Sequence, residues 1–281
     1  MAAPILHTIA EISAETARAR ELGMNVAFIP TMGALHEGHA ALIRAAGRPS
    51  SFVVVSIFVN PMQFGPTEDF TRYPRTLEAD RAVCAAAGAN AIFAPAVEEM
   101  YPENAVAFVD VAKLGDTLCG PRRPGHFRGV CTVVLKLFNI VQPDVAYFGA
   151  KDYQQARIIQ QMVRDLNVPV RVQVEPTVRE ADGLALSSRN RYLSADERAA
   201  APAIYRALQA TKSRASAGEK DVSALETALH ADLSAIPGAR IDYASIVDAE
   251  TLQPLPRLDR PAVAAVAVFL GTTRLIDNVI F

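Results

Sequence analysis

Two histidines three residues apart, at the start of a predicted helix, are the first candidates for chemistry. His36 and His39 belong to the segment PTMGALHEGH at 30–39, which follows an apolar stretch and precedes the helical pattern AALIRAA. This spacing puts both imidazoles on one face of a helical turn. A helix start favours anions such as phosphate, and Gly33 and Gly38 allow close backbone approach. The segment predicts a phosphate site in which the imidazoles donate to oxygens that gain charge.

The residues alone leave two other interpretations of this pair open. Both can be ordinary surface or core histidines. They can also be a zinc pair, but helical zinc ligands are usually four residues apart with a glutamate base, whereas His36 and His39 are three apart. The spacing therefore disfavours zinc.

Three further polar segments follow predicted strands or a predicted domain boundary. In NPMQFG at 60–65, the amide of Gln63 can donate and accept, which suits a hydroxy acid or an amine. In GAKD at 149–152, a lysine at a glycine turn and helix start suits a triphosphate, and Asp152 can cap the helix or bond a ribose hydroxyl. In LSSRN at 186–190, two hydroxyls and a guanidinium suit a phosphate clamp. Taken singly, each segment can also be a plain turn.

These segments are positioned by an alternation of short apolar runs and helical patterns. Continuous β-branched runs such as FVVVSIFV are typical of strands buried on both faces. The alternation predicts a Rossmann-like, doubly wound parallel sheet with helices on both faces, whose ligands lie at the carboxyl ends of the strands. We predict strands at 26–30, 52–59, 91–94, 145–148 and 170–174, and helices at 38–46, 76–87, 132–141 and 153–166.

The alternation of predicted strands and helices ends after residue 178. Two alanine-rich helices are predicted at 195–217 and 222–236, and strands at 241–247, 263–269 and 274–280. Helices followed by antiparallel strands indicate a smaller C-terminal α+β domain. We therefore predict two domains, 1–177 for nucleotide and substrate binding and 178–281 as a lid.

Composition narrows the class of protein. The chain has 281 residues and a net charge of −2, and it lacks the clustered Lys/Arg that usually marks a protein with a nucleic-acid partner. The N-terminal stretch lacks the pattern of a signal peptide. The most apolar stretch, 130–141, is too short to span a bilayer and contains Lys136, so we expect no membrane partner and a cytoplasmic location.

The cysteines predict neither a disulfide framework nor a zinc site. Cys84, Cys119 and Cys131 are an odd number at wide spacings, and no CxxC pair exists. Each is expected to be a small buried hydrophobic residue.

The histidine segment resembles the HIGH-type signature of the nucleotidyltransferase superfamily, which includes class I aminoacyl-tRNA synthetases. The whole string PTMGALHEGH is more specific, and resembles the pantothenate synthetase (pantoate–β-alanine ligase) family. NPMQF, GAKD and SSRN occur in the family's order, and the resemblance runs from residue 29 to the final GTTRLIDN. It implies ATP-dependent condensation of (R)-pantoate with β-alanine through pantoyl adenylate, giving pantothenate, AMP and pyrophosphate. It also implies a homodimer joined through the N-terminal domain.

The resemblance assigns roles residue by residue. His36, His39, Lys151 and Arg189 are the implied catalytic residues, with His39 as the best candidate for proton donor. The implied ATP-binding residues are Met32, Gly33, Ala34, Leu35, His36, Glu37, Gly38, His39, Gly149, Ala150, Lys151, Asp152, Val178, Leu186, Ser187, Ser188 and Arg189. The implied pantoate and β-alanine contacts are Gln63, Gln155, Pro30, Thr31 and Arg123, with His126 at the same rim.

The chain departs from the family at two of these positions. Ala150 stands where Glu or Gln is usual, which leaves only a backbone contact there, and Leu186 stands where Met is common, a volume-conserving change. Mg²⁺ is expected to arrive with ATP. Asp80 and Glu78 are candidate magnesium-side carboxylates, although an exposed helical face is the stronger expectation for both.

Three other classes remain for comparison. A phosphopantetheine or nicotinamide-mononucleotide adenylyltransferase shares the HIGH-type motif but is usually shorter and lacks NPMQF and SSRN together. A tRNA synthetase is disfavoured by the length and the absence of a basic anticodon-binding region. A catalytically silent nucleotide-binding regulator is disfavoured by the intact histidine pair and Lys151.

Overall fold

The apolar runs of the first 175 residues form one parallel sheet. The structure, a computed structural model, describes residues 3–66 and 68–281. Six strands lie in the order β1-β4-β3-β2-β5-β6, all parallel, with the apolar β2 and β3 at the centre. Their bounds are β1 Ile5–Leu6, β2 Asn25–Thr31, β3 Ser51–Ile57, β4 Ala91–Phe93, β5 Val145–Gly149 and β6 Arg171–Glu175. The predicted doubly wound α/β architecture is confirmed.

In the described part of the chain, six α-helices accompany this sheet: α1 Ile9–Glu21, α2 Glu37–Ala46, α3 Leu77–Ala87, α4 Val97–Met100, α5 His126–Val141 and α6 Tyr153–Asp165. The sequence prediction missed α1, whose polar composition hides its apolar stripe, although Thr8 and Glu11 form a capping box at its start. It also began α5 six residues late, because the Gly- and Arg-rich stretch before residue 132 is not typical of a helix.

The contacts divide the chain into two compact units. The first unit comprises the described residues up to Val111, with Arg123–Ala150 and Ile158–Pro176. The second comprises Ala112–Arg122, Lys151–Arg157 and Thr177–Phe281. The second unit therefore takes two short segments from within the sequence of the first.

The second unit contains a three-stranded antiparallel sheet in the order β7-β8-β9, with helices packed on it. Its elements are α7 Ala195–Ala200, α8 Pro202–Ser216, α9 Val222–Ser234, β7 Ala239–Asp248, β8 Ala262–Leu270 and β9 Thr273–Ile280. The prediction of one helix over 195–217 is wrong: α7 ends at Ala200, and α8 starts at Pro202, which has no backbone N–H and suits the first turn of a new helix.

The three cysteines are free and buried, as predicted. Burial raises the pKa of the Cys84 and Cys131 thiols to about 12. Across the described part of the chain, no helix combines the length and apolar character needed to cross a membrane.

Candidate active site

A buried carboxylate holds the loop after β2 from behind. Asp80 in α3 is 2% exposed, and its oxygens accept hydrogen bonds from the N–H groups of Ala34 (3.0 Å) and Leu35 (2.7 Å). The hydroxyl of Thr76 donates to the same carboxylate at 3.2 Å. The expectation of an exposed face is wrong for Asp80 and correct for Glu78. Because backbone donors already fill its oxygens, Asp80 does not fit a magnesium ligand; its position explains the shape of the loop.

This loop requires glycine at position 33. Gly33 has φ +81°, and a Cβ there would lie 2.9 Å from Asp80 Oδ2 and 3.0 Å from Ile57 Cγ2. Its N–H donates to Thr31 Oγ1 at 3.1 Å, and the Thr31 hydroxyl donates to the Ser56 carbonyl at 2.7 Å. The end of β2 is thereby fixed before the chain enters α2.

The two histidines cap the start of α2 reciprocally. The Gly38 N–H donates to His36 Nδ1 at 3.1 Å, and the His36 N–H donates to His39 Nδ1 at 3.3 Å. The ring centroids lie 4.2 Å apart. A ring nitrogen that accepts from a backbone N–H carries no proton, so each neutral imidazole carries its proton on Nε2. The fold therefore selects one tautomer for both rings, in which each Nε2–H is a hydrogen-bond donor.

The other predicted nucleotide contacts in this segment differ in accessibility. The side chains of Ala34 and Leu35 belong to the core, and their N–H groups are used by Asp80. Glu37 is exposed and pairs with Arg44. The half-buried residues of the segment are Pro30, Thr31, Met32, His36, Gly38 and His39.

Gln63 lies in a short 3₁₀ helix, Pro61–Gln63, that follows β3. Its Oε1 accepts from Asn60 Nδ2 at 3.1 Å, and its Nε2 donates to the Met32 thioether at 3.0 Å. The structure thus brings the predicted acid-binding glutamine next to the predicted ATP-binding segment. Asn60 is 1% exposed and Gln63 is 8% exposed, so both amides are held in place.

Close packing against α5 sets the position of this 3₁₀ helix. A Cβ on Gly129 would lie 2.3 Å from the Met62 carbonyl oxygen and 2.7 Å from Gln63 Cα. Only glycine therefore lets α5 approach the 60–63 backbone so closely.

Arg123, three residues before α5, is held by an ion pair. Its guanidinium donates to both Glu68 oxygens, at 2.7 and 2.6 Å, and lies 2.9 Å from His126 Nε2. His126 Nδ1 lies 2.8 Å from the Gln63 carbonyl oxygen, to which it donates. The predicted rim residues Arg123 and His126 are therefore brought to the backbone of Gln63. Burial alone would raise the pKa of Glu68, but the hydrogen bonds and charge of Arg123, together with a hydrogen bond to the Gly65 backbone, hold that pKa below its ordinary value.

In the second unit, Lys151 is anchored through its backbone. Asn278 Nδ2 donates to the Lys151 carbonyl at 3.0 Å, and the Lys151 ammonium lies 3.7 Å from Asp152. The Lys151 side chain is 19% exposed and that of Asp152 is 50% exposed. A cleft in this unit is lined by Lys151, Ser187, Asn190, Asp277 and neighbouring apolar residues, so the structure brings together two predicted triphosphate contacts.

A small hairpin positions the serine pair. Leu186 N–H donates to the Val178 carbonyl at 3.0 Å, and Arg179 pairs with Ala185 as an antiparallel bridge. Ser187 Oγ then accepts from the Arg189 N–H at 3.2 Å and caps the 3₁₀ helix Ser188–Tyr192.

The base of this hairpin is tied to β9. The Arg179 guanidinium donates to both oxygens of Asp277, at 2.6 and 2.8 Å, and Asp277 is 5% exposed. An ion pair of this bidentate kind fixes geometry as well as adding attraction. The ion pair therefore fixes the position of the serine pair that follows the hairpin.

The two glutamines of YQQ have different environments. Gln154 is buried, donates to the Leu114 and Thr117 carbonyls at 2.8 Å each, and accepts from the Cys119 N–H at 3.0 Å. It therefore has a structural role. Gln155, the predicted pantoate contact, is half-buried.

Sequence reasoning missed the supporting roles of several residues. Asp80, Gly129 and Asn278 act on the candidate residues through long-range contacts, which leave no local pattern in the sequence. Asn60 acts on Gln63 from three residues away. One signal was available: Asn60 lies inside the segment NPMQFG, which was already singled out. Within 3–66 and 68–281, no three His, Cys, Asp or Glu side chains form a group suited to a metal ion.

A family model described as pantoate-beta-alanine ligase matches residues 4–280. The pantothenate synthetase of Moorella thermoacetica is 55% identical over 276 residues, covering 98% of each chain. That of Pseudomonas savastanoi pv. phaseolicola is 54% identical over 273 residues, covering 96% of each.

Solved structures agree with these matches. A pantothenate synthetase from Thermus thermophilus superposes with a TM-score of 0.93 at 50% identity, covering 98% of each chain. A pantoate-beta-alanine ligase from Francisella tularensis, complexed with beta-gamma ATP and beta-alanine, superposes with a TM-score of 0.80 at 33% identity, covering 99% of this chain and 97% of that one.

Proposed function

The chain belongs to the pantoate–β-alanine ligase family, and from that premise we propose how its own residues carry out the reaction. It is an ATP-dependent ligase that joins (R)-pantoate to β-alanine. The pantoate carboxylate attacks the α-phosphate of ATP, giving pantoyl adenylate and pyrophosphate. The free amine of β-alanine then attacks the acyl carbon, giving pantothenate and AMP. Adenylation supplies the leaving group that a carboxylate lacks, so the protein must orient the reactants and stabilise phosphate charge.

The reciprocal histidine cap is the observation that carries this assignment. Because both Nδ1 atoms accept from the backbone, both imidazoles act as Nε2–H donors. Such donors at a helix start suit phosphate oxygens that gain charge as pyrophosphate departs. We assign His36 and His39 to the ATP phosphates, and His39 to proton donation.

Lys151, Ser187, Ser188 and Arg189 are assigned to the triphosphate. The cleft shared by Lys151 and Ser187 supports this role, as does the anchoring of the Lys151 carbonyl by Asn278. Because the backbone of Lys151 is already fixed, only the side chain has to lose conformational freedom when the ammonium binds phosphate. Backbone contacts to the nucleotide fall to Gly149 and Ala150, and the hairpin residue Val178 is assigned to the nucleotide as well.

Gln63 and Gln155 are assigned to pantoate. The support for Gln63 is its fixed amide beside Met32, and the support for Gln155 is its half-buried side chain next to the fully engaged Gln154. Arg123 is assigned to the substrate rim, where its pairing with Glu68 fixes the guanidinium.

Mg²⁺ is proposed to travel with ATP. Asp80 has its oxygens in hydrogen bonds to backbone N–H groups, so the phosphates are the better ligands. The ion supplies charge neutralisation on the triphosphate.

The assembly is proposed to be a homodimer joined through the segment 104–111. This stretch, NAVAFVDV, is mostly apolar, and Val106 is 88% and Phe108 56% exposed. Exposed apolar side chains in such a stretch mark an interaction surface. We also propose a cytoplasmic location, and a lid function for residues 178–281.

The direct test is pyrophosphate release with ATP and pantoate, with and without β-alanine. We expect release that depends on pantoate, and formation of pantothenate only when β-alanine is present. His39→Ala and Lys151→Ala should each abolish most adenylate formation with the far-ultraviolet circular dichroism unchanged. No stimulation by pantoate would reject the proposed reaction, and near-normal turnover in both variants would reject the assigned roles.

A further inference from the structure

The amide of Asn60 has a single possible orientation, fixed by backbone groups. Its Oδ1 accepts from the Met62 N–H at 3.3 Å, and its Nδ2 donates to the Gly129 carbonyl at 3.0 Å. A backbone N–H can only donate and a carbonyl oxygen can only accept, so rotating this amide by 180° would oppose like groups at both contacts.

The remaining hydrogen-bonding capacity of the Asn60 amide links Tyr101 to Gln63. The Tyr101 hydroxyl donates to Asn60 Oδ1 at 3.0 Å, and Asn60 Nδ2 donates its second hydrogen to Gln63 Oε1 at 3.1 Å. Asn60 is 1% exposed and fully hydrogen-bonded, so it acts on a ligand only through its neighbours. Burial raises the pKa of Tyr101 to about 12, which keeps the phenol protonated and able to donate.

Gln63 inherits its orientation from this chain of bonds. Because Oε1 faces a donor, the Nε2 group is the end directed away from Asn60, where its partner is the Met32 thioether at 3.0 Å. A thioether is a weak acceptor, and a carboxylate or hydroxyl oxygen is a much stronger one. A ligand oxygen can therefore replace this contact with a net gain.

We propose that Tyr101 is a positioning residue: its hydroxyl holds the Asn60 amide, whose orientation the backbone fixes, at the place where Nδ2 reaches Gln63 Oε1, so that Gln63 presents a donor to an oxygen of the acid substrate. The inference rests on the proposed assignment of Gln63 to pantoate. It makes the Tyr101–Asn60–Gln63 relay a determinant of specificity for an acid that offers an acceptor oxygen at this point.

The first test is Tyr101→Phe, which removes only the hydroxyl. We expect the KM for pantoate to rise about three- to tenfold, the range for one hydrogen bond, with the KM for ATP and kcat within about twofold of wild type. Tyr153→Phe is the matched control, because that hydroxyl also donates one hydrogen bond, to the Ala249 carbonyl at 2.8 Å. It should leave the KM for pantoate unchanged.

A double-mutant cycle separates positioning from general destabilisation. If Tyr101 acts through Gln63, adding Tyr101→Phe to Gln63→Ala should cause no further rise in the KM for pantoate. Additive effects in the cycle, or equal rises for pantoate and ATP, would overturn the proposal.

Asn60→Asp is an independent test, because it should reverse which end of the Gln63 amide faces the substrate. The introduced carboxylate only accepts, so Gln63 should turn its Nε2 toward it and present Oε1 to the substrate. The KM for pantoate should then rise at least as much as in Gln63→Ala while ATP-dependent stabilisation in thermal melting persists. If pantoate affinity were unchanged in a folded Asn60→Asp variant, the relay would be wrong. Wild-type enzyme that released no pyrophosphate in response to pantoate would instead reject the proposed function itself.

Discussion

Each histidine at the start of α2 uses its two ring nitrogens for different purposes. Nδ1 accepts a backbone hydrogen bond and stabilises the helix start, while Nε2 carries the proton. Structure and proposed chemistry are therefore coupled in one side chain. Asparagine is among the best residues for capping a helix but has no imidazole ring. Substitution by asparagine can therefore separate capping of the helix from donation by Nε2–H.

His36→Asn should keep the helix start and lose the activity. We expect its free energy of unfolding to stay within about 0.5 kcal/mol of wild type, whereas His36→Ala should lose about 1 kcal/mol. Adenylate formation should fall severely in both, because neither side chain supplies Nε2–H. Denaturant unfolding and pyrophosphate release measure the two effects, and an active asparagine variant would show that the ring is not needed.

At the scale of elements, the N-terminal turns of α3 support the loop that leads into α2. The carboxylate of Asp80 in α3 supplies the acceptors that the loop N–H groups need, and the loop in turn sets where the histidines begin. The turn after β2 is therefore not autonomous: its shape depends on a helix that comes after the next strand of the sheet.

Asp80→Asn should damage the site without touching a ligand. One acceptor becomes an NH₂ group facing a backbone N–H, so we expect a loss of about 2–3 kcal/mol in stability and a rise in the KM for ATP. Glu78→Gln, on the exposed side of the same helix, is the control and should match wild type. Equal behaviour of the two variants would contradict the supporting role of Asp80.

The ion pair between Glu68 and Arg123 predicts that the stability of the protein depends on pH. Arg123 holds the pKa of Glu68 below its unfolded value of 4.5, so the stabilisation is present above that pH and is lost as pH falls through the folded pKa. The melting temperature of wild type should therefore drop more steeply than that of Glu68→Gln between about pH 5 and about pH 3. Glu103→Gln, at an exposed glutamate, should keep the wild-type slope. Parallel curves for wild type and Glu68→Gln would exclude the effect.

At the scale of the whole molecule, the segment 104–111 predicts the assembly. Wild type should have about twice the 30.2 kDa mass of one chain in light scattering after size exclusion. Val106→Lys should shift the protein toward one chain, because a charge would be buried without a partner. Leu166→Lys, at another exposed apolar position, should remain a dimer. A monomeric wild type, or a dimeric Val106→Lys, would contradict this interface.

The local patterns of the chain determined the sheet, most helices and the candidate chemistry. The β-branched runs, the Gly33 turn and the His36/His39 spacing are all local, because hydrophobic period and turn chemistry act over a few residues. Family resemblance then supplied roles for Gln63, Lys151 and the serine pair. The break at Pro202 was also visible locally, and was overlooked.

Only the tertiary structure decided how these residues are held. The burial of Asp80, the approach of α5 at Gly129 and the contact of Tyr101 with Asn60 each join positions that are dozens of residues apart. Hydrogen-bond partners at such separation depend on how the elements pack, and packing leaves no periodic signal in the sequence. The tautomer of the histidine pair was likewise decided by geometry, because it depends on which ring nitrogen meets a backbone N–H.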